Sequence, residues 1–204
     1  GQKIDVSMLD CQVAVLENAI SRYLVNGEIP GPIGNRHPSI TPFEGFTASD
    51  GYVIVGAGND RLWKKLCELL GKPELTTDPR FVTNGDRTNN QKALKPILDS
   101  VFKTKTIDAW LVVLEEAGIP CAPINTVDRV LKDPQIKARN MIVEVEHPVA
   151  GKMHIPGVPI KMSQTPGTVE KAAPLLGQHT EEILSEMLGY DNAKVQELRD
   201  KGIL

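Results

Sequence analysis

The stretch GNRHPSITPF, residues 34–43, places an asparagine, an arginine and a histidine in one loop together with glycine and proline. This composition does not pack as a helix or a central strand, so the loop either turns a corner or holds polar groups toward a ligand. His37 lies between Arg36 and Pro38, where its ring can orient a carboxylate or a diphosphate, or can serve only the loop's own backbone. The residues alone leave both roles of His37 open.

A second candidate is GAGND, residues 56–60, which follows an apolar run and precedes a helical pattern. Its glycines lack the spacing of a dinucleotide-binding fingerprint. The helix N-terminus that it opens, capped by Asn59 or Asp60, can attract an anion. The alternative is a plain strand-to-helix turn that uses Gly56 and Gly58 for backbone freedom.

No pattern in the chain predicts a metal site or a complete active site. The sequence has four histidines, and none has Cys, Asp or Glu beside it at ligand spacing. We expect His147 and His154, which flank one turn, to be a solvated cross-strand pair. His179, beside a helix start, is expected to have a capping or core-edge role. None of the carboxylates stands out as a nucleophile or as half of an acid and base pair.

Composition limits the class of protein. The chain has 204 residues, of which 41% are hydrophobic, and a net charge of −3. Only 4% of residues are aromatic and the basic residues are scattered, which argues against nucleic acid as a partner. The longest apolar runs are far shorter than the roughly 20 residues of a membrane span. Three separated cysteines, Cys11, Cys67 and Cys121, favour a soluble protein of a reducing compartment, the cytoplasm or a mitochondrial matrix.

Periodicity predicts the elements that position these residues. After a strand-like IDV at 4–6, Ser7 and Asp10 form a capping-box pattern for one long helix that ends at Asn26 and Gly27. A proline-rich segment, residues 30–42, precedes a hairpin with an Asp-Gly turn. Further elements are expected at the following places: helices at 60–70, about 87–102 with a kink at Pro96, and from Thr106 to Gly118; a buried strand at 119–124; and a short helix from Thr126.

The last third of the chain predicts a second hairpin, formed by MIVEVEHP and KMHIP around the turn VAG. A polar, proline-rich crossing follows at 163–174, and two helices separated at Gly189 end the chain. The first of these helices has one predicted buried face, made of Ile183, Leu184, Met187 and Leu188. This mixture of helices and strands predicts an α/β or α+β fold.

Six blocks of the sequence resemble family III (CaiB/BaiF) CoA-transferases, over essentially the whole chain and in order. The blocks are GQKIDVSMLD, GNRHPSITPF, DGYVIVGAGNDRLWKKLCELLG, DPRFVTNGDR, GIPCAPINTV and PLLGQHTEEIL. The resemblance implies an α/β fold with a Rossmann-like large domain, a small α/β domain with antiparallel strands, and two subunits interlocked as a homodimer. It is nearest to the branch that acts on dicarboxylates such as succinate and glutarate derivatives.

The resemblance also implies a division of the chain. The expected segments are 1–29 and 177–204 in the large domain, a linker loop at 30–42, the small domain at 43–160, and a return linker at 161–176. Because the sequence opens on a strand-like segment without methionine, we expect it to begin inside the large domain.

In this family an aspartate carboxylate attacks the acyl-CoA thioester, and an aspartyl-CoA thioester then passes CoA to an acceptor carboxylate. The resemblance implies that this aspartate lies upstream of Gly1, so no catalytic residue is expected in the chain. It implies no permanently bound cofactor and no metal, with the coenzyme A thioester serving as substrate. The partners implied are acyl-CoA and carboxylic acids.

The residues expected to face the substrate follow from the same resemblance: Gly31, Gly34, Asn35, Arg36, His37 and Asn59. The loop matching 31–38 is glycine-rich in several members and covers the covalent intermediate, whereas here only Gly31 and Gly34 are kept. Arg36 and His37 instead suit an acceptor with a second carboxylate. This favours the ligand role for His37.

Two alternatives remain at this point. In the 2-methylacyl-CoA racemases of the same superfamily, the position of Asn59 resembles one that carries an acidic residue. An amide cannot transfer protons in that way, which favours the transferase. The second alternative is a non-catalytic fragment or assembly module, because the expected aspartate is missing.

Overall fold

The computed structural model describes residues 2–204 and divides them into two compact units, with the boundary between Ile124 and Asn125. Each unit contains helices and one antiparallel sheet, so the predicted mixed α/β class is confirmed. The boundary falls inside the segment 43–160 that the sequence assigns to one small domain. The assignment of segments to a large and a small domain stays a prediction.

The chain begins with two helices where one was expected. Helix α1 spans Met8–Val15 and helix α2 spans Glu17–Asn26. They are separated at Leu16, whose N–H donates to Val13 O at 3.0 Å, a tighter bond that interrupts the α-helical ladder. Ser7 caps α1 by accepting from Asp10 N, which is only half of the predicted capping box within the described residues. The segment 4–6, which was expected to be strand-like, is not a strand and pairs with none of the described strands.

The sheet of the first unit has the order β1-β2-β3 and is antiparallel throughout. Strand β1 spans Phe43–Ala48, β2 spans Gly51–Gly56, and β3 spans Cys121–Pro123. In the register, Phe46 lies opposite Val53, and both side chains are fully buried. The predicted hairpin and the later strand are therefore confirmed, with the later strand shorter than expected.

Four helices and a 3-10 turn complete the first unit. They are α3 (Asp60–Leu69), the turn at Pro73–Thr76, α4 (Asn84–Asn89), α5 (Gln91–Phe102) and α6 (Ile107–Glu116). The single helix expected at 87–102 is divided at Asn90, and α4 begins earlier because Thr83 and Asp86 form a reciprocal capping box. Helices α3, α5 and α6 bury their apolar faces in one core that they share with the sheet.

The aromatic centre of this core joins the sheet to two helices. The ring of Phe102 stacks on Phe46 with centroids 4.7 Å apart, and it contacts Trp110 at 4.9 Å. Trp110 satisfies its indole nitrogen by donating to Phe102 O at 2.7 Å. The core therefore leaves this buried donor paired, as stability requires.

The second unit contains four helices and a two-stranded sheet. Its elements are α7 (Val127–Lys132), α8 (Pro134–Ala138), β4 (Ile142–His147), β5 (Gly151–Pro156), α9 (Thr180–Leu188) and α10 (Asn192–Asp200). The sequence did not predict α8, which starts at Pro134 and is capped by the Asp133 carboxylate. Gly189 ends α9 in a left-handed conformation, as expected.

The structure differs from expectation at three places in the second unit. His147 and His154 are not cross-strand neighbours, because His154 lies opposite Glu144 while His147 Nδ1 accepts from Val149 N and Ala150 N in the turn. The apolar face expected to be buried on α9 is largely exposed, with Met187 at 78%. His179 is the N-cap residue, but its ring pairs with Glu182 rather than capping a backbone group.

The core of the first unit also contains a fully buried arginine. Arg87 is 0% exposed, and its guanidinium donates to four backbone carbonyls and one carboxylate. The acceptors are Thr41 O at 2.7 Å, Gly58 O at 2.7 Å, Phe81 O and Val82 O at 3.1 Å, and Asp60 Oδ1 at 3.1 Å. The guanidinium also lies 5.1 Å from the ring centroid of Trp63. One side chain thus ties together three separate segments of the chain.

We predict that Arg87→Met lowers the free energy of unfolding by about 3–5 kcal/mol, because it leaves several buried carbonyls without a donor. Arg80→Met is the matched control, since Arg80 is exposed and pairs at the surface with Asp78; its destabilisation is expected to be far smaller. Urea denaturation of both variants measures the difference. Equal destabilisation by the two substitutions would show that the buried network is dispensable.

Candidate functional site

The loop that contains the predicted site residues is fastened only along its second half. Asn35 Oδ1 accepts from Gly45 N at 3.3 Å, and His37 N donates to Phe43 O at 2.8 Å. Gly31 and Gly34 have no atom within 4 Å of where a side chain would begin, and Gly34 has φ +73°. The loop therefore has an open first half and a second half held against strand β1.

Asn84 of helix α4 extends this fastening toward the end of the loop. Its Oδ1 accepts from Thr41 N at 3.0 Å, and its Nδ2 donates to Ser39 O at 2.8 Å. The sequence analysis missed this role. An asparagine at the start of a short helix gives no local signal for two bonds to residues more than 40 positions away.

The ring of His37 is held by two contacts. Its Nδ1 accepts from Ser39 N at 3.2 Å, and the ring stacks on Phe43 with centroids 5.5 Å apart and planes 3° from parallel. Because Nδ1 accepts, the neutral ring carries its proton on Nε2. His37 is half-buried and thus presents one N–H donor of fixed direction.

A cavity of about 500 Å³ lies beside Phe43, between the loop, the sheet and the start of α3. Its walls are mostly apolar. The lining residues are Ile40, Phe43, Ile54, Gly56, Gly58, Asn59, Leu62, Pro120, Cys121 and Ala122. We call it the sheet-edge pocket. Its volume and apolar character are typical of pockets that hold small organic ligands.

Asn59 lines the sheet-edge pocket, but its side-chain oxygen already accepts a hydrogen bond within the protein. Its Oδ1 accepts from Leu62 N at 2.8 Å and caps α3, which confirms the capping prediction. Gly58 is required for steric reasons, because a β-carbon there would lie 2.0 Å from Ile40 Cγ2. The glycine therefore lets the loop and the turn approach closely enough to form one wall.

Cys121 is a lining residue that sequence reasoning did not single out. Burial raises the pKa of its thiol above the ordinary value, and the Glu115 carboxylate adds to this effect. The thiol is therefore protonated at neutral pH and is a weak nucleophile.

Arg36 lies in a different cavity from Asn59, although both were expected at one site. This second cavity has a volume of about 360 Å³, and we call it the arginine pocket. It is lined by Val15, Leu16, Asn18, Ala19, Arg22, Glu28, Pro30, Gly31, Ile33, Arg36 and Pro38. The two consecutive residues Arg36 and His37 thus have different surroundings. Arg36 lines the arginine pocket, whereas the His37 ring stacks on Phe43.

Other chemistries were searched for across residues 2–204. In that range no group of three His, Cys, Asp or Glu side chains is arranged to hold a metal ion. None of the helices in the same range is long and apolar enough to cross a membrane. No aspartate lines the sheet-edge pocket or the arginine pocket, as far as the described residues go.

Comparison with known proteins gives matches along the chain. The sequence profile described as CoA-transferase family III matches residues 1–180. The succinyl-CoA:glutarate CoA-transferase of Homo sapiens is 36% identical over 204 residues, which cover 100% of this chain and 47% of the human protein. The acetyl-CoA:oxalate CoA-transferase of Acetobacter aceti is 42% identical over 163 residues, covering 80% of this chain and 41% of that protein.

A solved structure agrees with these matches. The crystal structure of a CaiB/BaiF family protein from Brucella suis superposes with a TM-score of 0.77 at 38% identity, over 91% of this chain and 48% of that chain. The chain spans about half the length of the relatives that it matches. The predicted CaiB/BaiF fold is confirmed, and the chain belongs to CoA-transferase family III.

Proposed function

We propose that the protein to which residues 1–204 belong transfers CoA from an acyl-CoA to a carboxylic acid. The observation that carries this proposal is the family match over residues 1–180. It is supported by an apolar pocket whose wall residue Phe43 stacks on His37. Relatives named as succinyl-CoA:glutarate and acetyl-CoA:oxalate CoA-transferases support a dicarboxylic acid as the acceptor.

The proposed reaction runs through an aspartate that is not among residues 1–204. Its carboxylate attacks the thioester carbonyl carbon, the C–S bond breaks, and a mixed anhydride and CoA thiolate form. The thiolate then attacks the aspartyl carbonyl of the anhydride, releasing the donor acid and leaving an aspartyl-CoA thioester. The acceptor carboxylate repeats these two exchanges in reverse, which regenerates the aspartate.

In this proposal the chain's own residues bind and shield the reacting groups. Gly31, Gly34 and Asn35 form the loop that covers the intermediate, with its open half able to move and its other half fixed to β1. His37 offers its Nε2–H to a substrate oxygen, and the sheet-edge pocket holds an apolar part of the substrate. Asn59 stabilises the pocket rim by capping α3.

The racemase alternative is supported less well. Racemisation needs a titratable group on each side of the α-carbon, and Asn59 offers only an amide whose oxygen is bound to Leu62 N. The assembly module remains an outcome of the test below.

We also propose that the protein forms an interlocked homodimer and is located in the cytoplasm or a mitochondrial matrix. Apolar side chains exposed on α2 and α9, such as Leu24 at 75%, support a covering partner.

One prediction of the proposed function concerns the activity of the full-length protein. The full-length protein incubated with succinyl-CoA and a panel of mono- and dicarboxylic acids is expected to form new CoA thioesters, which mass spectrometry detects. Residues 1–204 alone are expected to form none, because the nucleophile is missing. Epimerisation of a branched acyl-CoA without transfer would favour the racemase, and the absence of both reactions would favour the assembly module.

A second prediction of the proposed function concerns His37. His37→Ala is expected to lower the rate of CoA transfer by about tenfold through the loss of one hydrogen bond. Its effect on the free energy of unfolding is expected to stay below about 1 kcal/mol, since the loop buries little. His147→Ala is the matched control, because His147 also accepts backbone N–H groups but lies in the second unit.

This control is expected to change stability by a similar amount and to leave the transfer rate unaltered. Melting temperatures and initial rates of the two variants separate the effects. If the rate of His37→Ala falls only in proportion to its loss of folded protein, then His37 is structural.

A further inference from the structure

The arginine pocket contains two guanidinium groups, and only one of them has an ion-pair partner among the described residues. Arg22 Nη2 pairs with Glu28 Oε2 at 3.1 Å. Within the described part of the chain, the Arg36 guanidinium has no hydrogen-bond or ion-pair partner, although the residue is half-buried. The three charges leave the pocket with a net charge of +1. An unpaired cation in a partly closed cavity favours an anionic ligand.

The pairing of Arg22 is built into the local structure. Gly27 ends α2 in the left-handed conformation, with φ +72°, and reverses the chain. Glu28 N then donates to Asn26 Oδ1 at 2.9 Å, which holds this reversal and carries the Glu28 side chain back to Arg22. The Glu28 carboxylate is thereby held in an ion pair with Arg22, and the Arg36 guanidinium stays available to bind a ligand.

The chemistry of the pocket suits one carboxylate group. A guanidinium binds a carboxylate through two parallel hydrogen bonds. Such bonds are stronger beside apolar side chains than in open water, and Leu16, Ile33 and Pro38 line this pocket. One carboxylate neutralises the net charge of +1. A second anionic group in the same pocket would meet repulsion from Glu28. The volume of about 360 Å³ accommodates a small acid.

We infer that the arginine pocket binds the distal carboxylate of a dicarboxylic acceptor through Arg36, and that Glu28 limits the pocket to a single carboxylate. The identity of the acceptor rests on the proposed function, whereas the anion site rests on the geometry. Arg36 is then a specificity-determining residue, and the Arg22–Glu28 pair adjusts the charge that the acceptor meets.

The test uses the full-length protein with glutarate and pentanoate, acids of equal carbon number that differ in the distal carboxylate. Arg36→Gln is expected to lower the ratio of kcat/KM for glutarate over pentanoate by about tenfold or more. Arg36→Lys is expected to retain part of the ratio, because it keeps the charge but loses the paired donors. Glu28→Gln is expected to raise the ratio at least about twofold by freeing Arg22. Arg139→Gln, an exposed arginine outside the pocket, is the control and should leave the ratio unaltered.

A ratio that is unchanged in Arg36→Gln, or equal losses for both acids, would overturn the inference while leaving CoA transfer intact. If wild-type protein transfers CoA to no acid at all, the proposed function fails, and the anion site is tested by calorimetric titration. Glutarate binding to wild type that is lost in Arg36→Gln supports the site. Equal glutarate binding by the two proteins, or none by either, contradicts it.

Discussion

The buried guanidinium of Arg87 is the constraint on which the arrangement of the first unit depends. A charge that is 0% exposed is stable only where its five donors are matched, and here four carbonyls and the Asp60 carboxylate match them. Asp60 is itself largely exposed, so much of the compensation comes from backbone dipoles. The folded chain must therefore bring its carbonyls to Arg87.

Meeting this requirement also builds the candidate site. The bond to Thr41 O fixes the end of the loop, and the bond to Gly58 O fixes the turn that precedes α3. These two segments together contribute to the wall of the sheet-edge pocket through Ile40, Gly58 and Asn59. The close approach of Ile40 to Gly58 shows how tightly the segments are drawn together. The pocket is thus a consequence of core packing. The first half of the loop is not fixed by the bonds to Arg87.

The sequence predicted those parts that local patterns determine. The hairpin followed from an Asp-Gly turn between apolar runs, and α3 followed from its leucine spacing and its Asn59 cap. The breaks at Leu16 and Asn90 were not predictable, because neither residue is a glycine or proline. The exposed face of α9 also shows that helical periodicity identifies an apolar face without showing what covers it.

The site was predicted less completely than the fold. Loop composition identified Arg36 and His37 as candidates, but it did not predict that their side chains have different surroundings. The side chains of neighbouring residues in an irregular segment have no fixed orientation relative to each other. Arg87 gave no local signal either, since its acceptors are distributed from Thr41 to Val82. Long-range bonds of this kind appear only when the chain has folded.

The central claim is that residues 1–204 hold and shield the substrate while the nucleophile lies elsewhere in the protein. The most direct measurement is peptide mapping by mass spectrometry after the full-length protein has been incubated with acyl-CoA and its thioester trapped with hydroxylamine. The account predicts a modified aspartate in a peptide outside residues 1–204. A modified aspartate or glutamate inside residues 1–204 would contradict it.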